Sequence, residues 1–267
     1  MRQTLLSRWE GALLGCSLEV GKEFQENSSV SFWRQTQEEG VRSLATTGQW
    51  KPSFELEQYT AAEVVLFTLP LMLFFSDQPQ EWLERLNLQN RSKLEKIAID
   101  AYGTVIKWSI EETLTEKTLF PDLQTAVGDE NSNEVLQTLQ SHANKGKTLQ
   151  ETKATLAPTC QDIWLALYCL GTTLEDLPLS VGRAKRIKQW HPLVLPLVGA
   201  LSGVHHGVTA IPIPWRCRLQ EERNQWKQEL LPMLATWCGS YEFAMMNQHL
   251  KQSAIAPAKV IQPRRYF

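Results

Sequence analysis

The five cysteines of this 267-residue chain include no Cys-x-x-Cys spacing, and their number is odd. A zinc finger and a redox dithiol are therefore not expected. Free thiols at Cys16, Cys160, Cys169, Cys217 and Cys238 fit a reducing, cytoplasmic setting. An excess of one charge sign is also missing: 27 Lys and Arg stand against 29 Asp and Glu, a formal net charge of −2. No nucleic-acid partner is expected from so even a balance. The chain has no Gly-rich phosphate loop, alternating strand pattern, internal repeat or low-complexity tract. The opening MRQTLLSRWEGALLG has two arginines but only a broken apolar stretch, unlike a cleaved signal. Long apolar runs are scarce. Residues 64–76 fall short of the roughly 20 residues a spanning helix needs. Residues 189–215 hold no Asp, Glu, Lys or Arg, but they contain four prolines and His205–His206. Polar side chains there would be costly in lipid, so a helix buried within a helical protein is expected, and no membrane span.

Hydrophobic residues make up 43% of the chain and charged ones 21%, as in a folded globular protein. Apolar spacing predicts helices over 4–20, 58–75, 79–88, 91–115, 133–144 and 159–171. Pro70 is expected to kink or end the second of these, and Gly103 to weaken the fourth. Gly146 and Gly171 read as helix stops. Thr173 reads as the cap of a helix opening at LEDLPLSVGRAKR, and Pro192 as the first turn of a buried helix reaching Gly207. One or two helices rich in Trp and Met are expected within 218–250. Residues 21–57 read as a long polar loop, 121–131 as a turn-rich link and 251–267 as a tail. The fold class is all-α: a compact, single-domain multi-helix bundle spanning 1–267.

Three stretches carry a resemblance. RWEGALLGCSLEVG at 8–21 is similar to an opening helix that reads R-x-x-G-A-L-L-G and then Gly-Asp. GQW at 48–50 is similar to a Gly-x-Trp that leads into Thr-Asp-Asp-Thr and an apolar helix, here within 48–76. VGALSGVHHGVTAIPIPWR at 198–216 is similar to A-G-A-L-A-G-A-Y-Y-G followed by A-I-P and a Trp. TCQDIWLALYCLGTTLEDLPLSV at 159–181 fits the helices before it more loosely, so the late likeness runs over 159–216. Together these resemble the ADP-ribosylglycohydrolase family. The resemblance implies many helices around a central cleft, with two divalent metals, typically Mg²⁺, held by acids from the three motifs.

Those acids are absent at the matching positions. The Gly-Asp pair falls on Glu19-Val20, the Thr-Asp-Asp-Thr on Lys51-Pro52-Ser53-Phe54, and a late Asp-Thr-Asp-Thr on Trp190-His191-Pro192-Leu193. Hard divalent ions need carboxylate oxygens, so no catalytic residue, metal or cofactor is expected. The expectation is a catalytically degenerate member acting as a non-catalytic binding, scaffold or regulatory protein. The alternative is a metal-dependent hydrolase of ADP-ribosyl or related N-glycosidic bonds with relocated ligands. Its candidates are Glu19, Glu55, Glu57 and Glu63, with Mg²⁺ as the cofactor.

A cluster of cations is the clearest local charge feature: Arg183, Lys185, Arg186 and Lys188, followed by Trp190 and His191. With Lys51 these are the candidate residues for a protein partner or a phosphorylated small ligand. A solvated helix end explains the cations equally, since positive charge suits a helix C-terminus. His205 and His206, being adjacent, diverge on a helix and read as packing residues, and Glu63 as an exposed helix turn. Gly199, Gly203 and Gly207 allow close helix packing. Of ten tryptophans, Trp33 and Trp226 are expected as exposed anchors for a partner.

Overall fold

The computed structural model describes residues 3–18, 28–50, 56–86, 88–127, 129–187 and 191–239. Helix α1 (Leu5–Cys16) begins at Thr4, whose hydroxyl accepts the Ser7 N–H at 3.1 Å. All twelve of its residues are buried. Its main neighbour is α12 (Val194–His206), the apolar run expected to lie inside the protein. The two run antiparallel: Gly15 faces Gly199 and Gly11 faces Gly203. A Cβ at any of the four would collide with the opposing backbone. The glycine spacing is thus a packing device that brings two backbones together. Gly207, at φ +72°, ends α12 in a conformation only glycine adopts readily.

Between these helices lie α2 (Ser28–Thr47), α3 (Ala61–Phe67), α4 (Leu69–Phe74), α5 (Pro79–Leu86) and α6 (Lys93–Glu111). Then come α7 (Leu119–Ala126), α8 (Glu130–Asn144), α9 (Leu149–Thr155), α10 (Gln161–Gly171) and α11 (Leu177–Lys185). After α12 the chain makes a short 3₁₀ turn, Val208–Ala210, then α13 (Ile213–Arg218) and α14 (Gln220–Trp237). Fourteen α-helices and no strand occur among the described residues. The buried apolar side chains form one cluster reaching from Leu5 to Trp237. No helix among the described residues is long and apolar enough to cross a membrane.

Several expectations are corrected. Residues 28–47 of the presumed loop form α2, which packs against α14 and buries Trp33, Val41 and Leu44. Its polar face hid the signal, because Arg34 and Arg42 reach Glu222 and Glu229 on α14. Trp33 and Trp226 are both buried, 4% and 1% exposed, and are not surface anchors. Charged neighbours on both sides of an indole in sequence do not place it outside when the helix turns it inward. Part of the presumed link at 121–131 is α7, which buries Leu119, Phe120 and Leu123. The single helix expected over 58–75 is two, broken at Thr68, with Pro70 in the first turn of the second. Gly103 stands under the Trp82 ring, where a Cβ would clash. The cap of α11 is Asp176, whose Oδ1 accepts the Leu179 N–H at 2.9 Å. Thr173 instead exchanges a buried hydrogen bond with Ser180. The 251–267 stretch lies outside the described residues.

Candidate functional site

The clearest assembly of candidate residues lies where α11 meets the turn between α8 and α9. Asp176 starts α11, and Pro178 in the first turn fixes its direction. Leu179, Arg183 and Arg186 then recur at spacings of four and three, along one face of the helix and its end. Opposite them, Gly146 turns the chain at φ +62°. Thr148 opens α9 with a capping box, its hydroxyl accepting the Glu151 N–H while Glu151 accepts the Thr148 N–H at 2.7 Å.

Arg183 joins the two sides. Its Nη1 donates to the Thr172 hydroxyl at 2.7 Å and its Nη2 to the Lys147 carbonyl at 3.2 Å. The guanidinium lies over the Tyr168 ring, 5.1 Å from the centroid. The Tyr168 hydroxyl donates to the same Lys147 carbonyl at 2.7 Å. Two of the five guanidinium N–H donors are thereby engaged.

A groove of about 750 Å³ runs along this junction, its wall including Lys147, Thr148, Gln150, Leu179, Arg183 and Arg186. Among the described residues its lining holds three cations and no Asp or Glu. Of the acids near it in sequence, Asp176 caps α11, and Glu151 caps α9 and pairs with the ammonium of the groove's own Lys147 at 2.8 Å, so the two arginines are the cations left to an anion. That ammonium, followed by the Thr148 bonds, holds the Glu151 carboxyl down at about 2. A second groove of about 450 Å³ shares Gly146, Thr172 and Arg183, and adds Glu116 and Lys117. Arg183 thus stands in the wall of both.

Of the seven predicted binding residues, the structure brings Arg183 and Arg186 together in this groove. Lys185 places its ammonium 5.3 Å from the centre of the Trp215 ring on α13 and does not line the groove. His191 is held by Asp162 of α10, with Nδ1 and Oδ1 2.6 Å apart. Lys51, Lys188 and Trp190 lie outside the described residues. Sequence reading missed Lys147, Thr148, Thr172 and Leu179. The Thr148-x-x-Glu151 capping box was visible, but nothing local pairs that turn with α11.

The alternative metal ligands do not assemble among the described residues. Glu57 accepts a hydrogen bond from the Asn90 amide. Glu63 accepts from the N–H and the hydroxyl of Thr60, each at 2.8 Å, as the acid of the capping box in which Thr60 caps α3. Glu19 and Glu55 lie outside those residues. No three His, Cys, Asp or Glu among the described residues lie together as a metal site. His205 and His206 pack edge to face, ring centres 4.7 Å apart. Burial, then the neighbouring His206 and Arg8, pushes His205 down to about 4, and burial lowers His206. Nearby, Arg8 donates to the Ser109, Val204 and His205 carbonyls and pairs with Glu112 at 3.0 Å. That cluster ties the ends of α1, α6 and α12 together.

Comparison with protein-family models, with curated proteins and with solved structures found no match.

Proposed function

We propose that this chain is a non-catalytic binding protein on an ADP-ribosylglycohydrolase-like scaffold, and that its groove holds a phosphate-bearing ligand. The observation that carries this reading is a groove of about 750 Å³ whose described wall residues include three cations and no acid. That volume lies within the usual range for small-ligand sites. An arginine braced by Thr172, Lys147 and Tyr168 is pre-positioned, so little side-chain freedom is lost when an anion docks. Planar guanidinium forks match phosphate oxygens, and Arg183 and Arg186 supply two of them. The degenerate character rests on the three motifs whose acid positions carry Val20, Lys51 to Phe54 and Trp190 to Leu193. It is further supported by the engagement of Glu57 and Glu63 in local hydrogen bonds.

Thermal unfolding with pyrophosphate, ADP-ribose and Mg²⁺, singly and together, tests the proposal. A ligand bound only by the folded state raises the melting point by mass action. Pyrophosphate and ADP-ribose are each expected to raise it without Mg²⁺, and Arg186→Glu to remove most of that rise. A rise that requires ADP-ribose and Mg²⁺ together would return the chain to the metal-dependent hydrolases. No rise with any phosphate would reject the groove as an anion site.

A further inference from the structure

The two exposed large apolar side chains among the described residues are Leu179 and Ile213, at 56% and 66% exposure. Leu179 stands in the wall of the cationic groove, two turns of helix from Arg186 and beside Pro178. An exposed leucine four residues before a braced arginine gives the groove two chemistries side by side. The same wall presents guanidinium groups and an aliphatic surface. Among the described residues the groove lining contains no Phe, Tyr or Trp. The adjacent Tyr168 is buried and has the Arg183 guanidinium over its ring. The described lining therefore offers a nucleobase no free aromatic face to stack on, the usual source of affinity for a base. Gln150, also in the lining, supplies an amide group of the kind that hydrogen-bonds a peptide backbone, while the Thr148 hydroxyl is engaged with Glu151.

We infer that the ligand of this groove is a phosphorylated peptide segment with an aliphatic residue next to its phosphorylated one, the phosphate against Arg183 and Arg186 and the aliphatic side chain against Leu179 and Pro178. This rests on the reading of the groove as a phosphate site and narrows it to one partner chemistry. Charge complementarity favours the phosphate end, and the exposed leucine favours the aliphatic neighbour. Burying one aliphatic side chain strengthens binding by about tenfold or more, and a charge-assisted pair to phosphate does so by a similar factor.

Fluorescence anisotropy on the full chain with three labelled peptide pools tests the inference. One pool holds a central phosphoserine flanked by Leu, Ile and Val, the second the same phosphoserine flanked by Gly and Ser, and the third the aliphatic flanks with unmodified serine. The first is expected to bind about tenfold more tightly than either other. Leu179→Ser should erase the difference between the first two pools and keep the preference for phosphate. Arg186→Glu should erase the preference for phosphate. Leu179 is exposed, lies in the first turn of α11 and is not part of the apolar core, so the variant should fold, and circular dichroism checks it. Equal binding of both phosphorylated pools, with Leu179→Ser neutral, would overturn the peptide inference and leave the phosphate reading standing. Displacement of the first pool by ADP-ribose at lower concentration than by pyrophosphate would overturn it in favour of a nucleotide. Failure of every phosphorylated probe to bind would overturn both.

Discussion

His205 illustrates how far a side chain departs from its free behaviour when the fold surrounds it. Buried near His206, Arg8 and Glu112, it is pushed down to about 4 from its ordinary 6.5. Because its folded value is the lower one, the unfolded chain takes up the proton first as pH falls. Its contribution to stability is whole above about pH 6.5 and is lost between there and about pH 4. The loss is on the order of 2 kcal/mol, allowing for partial solvent access. Urea unfolding at steps from pH 7.5 to pH 4.5 should show it, with a shallower fall in His205→Phe than in the native chain. An equal fall in both would assign the acid sensitivity to other groups. From sequence, the pair could be placed on a buried helix but not next to an arginine 197 positions away. Glu63 was more legible: Thr60-x-x-Glu63 is a capping box written within four residues, and the structure contains it.

Among the elements, α1 and α12 show the closest link between spacing and packing. Gly11 and Gly15 meet Gly203 and Gly199 so closely that any side chain forces the helices apart. Gly203→Ala should cost about 2 kcal/mol or more, since neither backbone can move without disturbing the core. Gly182→Ala is the contrast. That glycine is exposed within α11, with nothing inside 4 Å of an added Cβ, and the change should stabilise by about 0.5–1 kcal/mol. Denaturant midpoints of the two variants check the pair, and a loss of stability in both would mean that helix separation is not the cause. Apolar helices such as α10 and α12 were readable because every face is apolar and their ends are marked by Cys160, Gly171 and Gly207. Helix α2 was not, because its outward residues are charged and its partners on α14 lie nearly 190 residues away.

For the whole molecule, α14 closes the fold against its beginning. Trp237 meets Trp9 edge to face at 6.2 Å. Trp226 is 1% exposed, and Arg223 pairs with Glu10 at 2.7 Å. The apolar contacts should dominate this closure. Trp226→Ala is expected to cost about 3–5 kcal/mol. Arg42→Ala, which removes an ion pair to Glu229 from a side chain 58% exposed, should cost less than about 1 kcal/mol. Unfolding of both variants at low and high salt decides between them, and a large, salt-sensitive loss in Arg42→Ala would make the closure electrostatic. The even charge balance is consistent with this ranking, because no long-range field of one sign gathers the helices.

The amino-acid order by itself determined the helical class, the ends of helices such as α5 and α10, and the buried character of 194–206. Those follow from apolar period, caps and glycines, which act within a turn or two of helix. It also determined that the acid positions of the three resembling motifs carry other residues. Only the tertiary structure decided which cations share a groove. Arg183 and Arg186 face Lys147 across it, whereas Lys185 between them lies over Trp215. One residue's step along a helix is a turn of about 100°, so neighbours in a cation cluster part company as soon as the helix packs. What lies across the groove is set by how α8, α9, α10 and α11 bury their apolar faces together, a long-range outcome that no local pattern records.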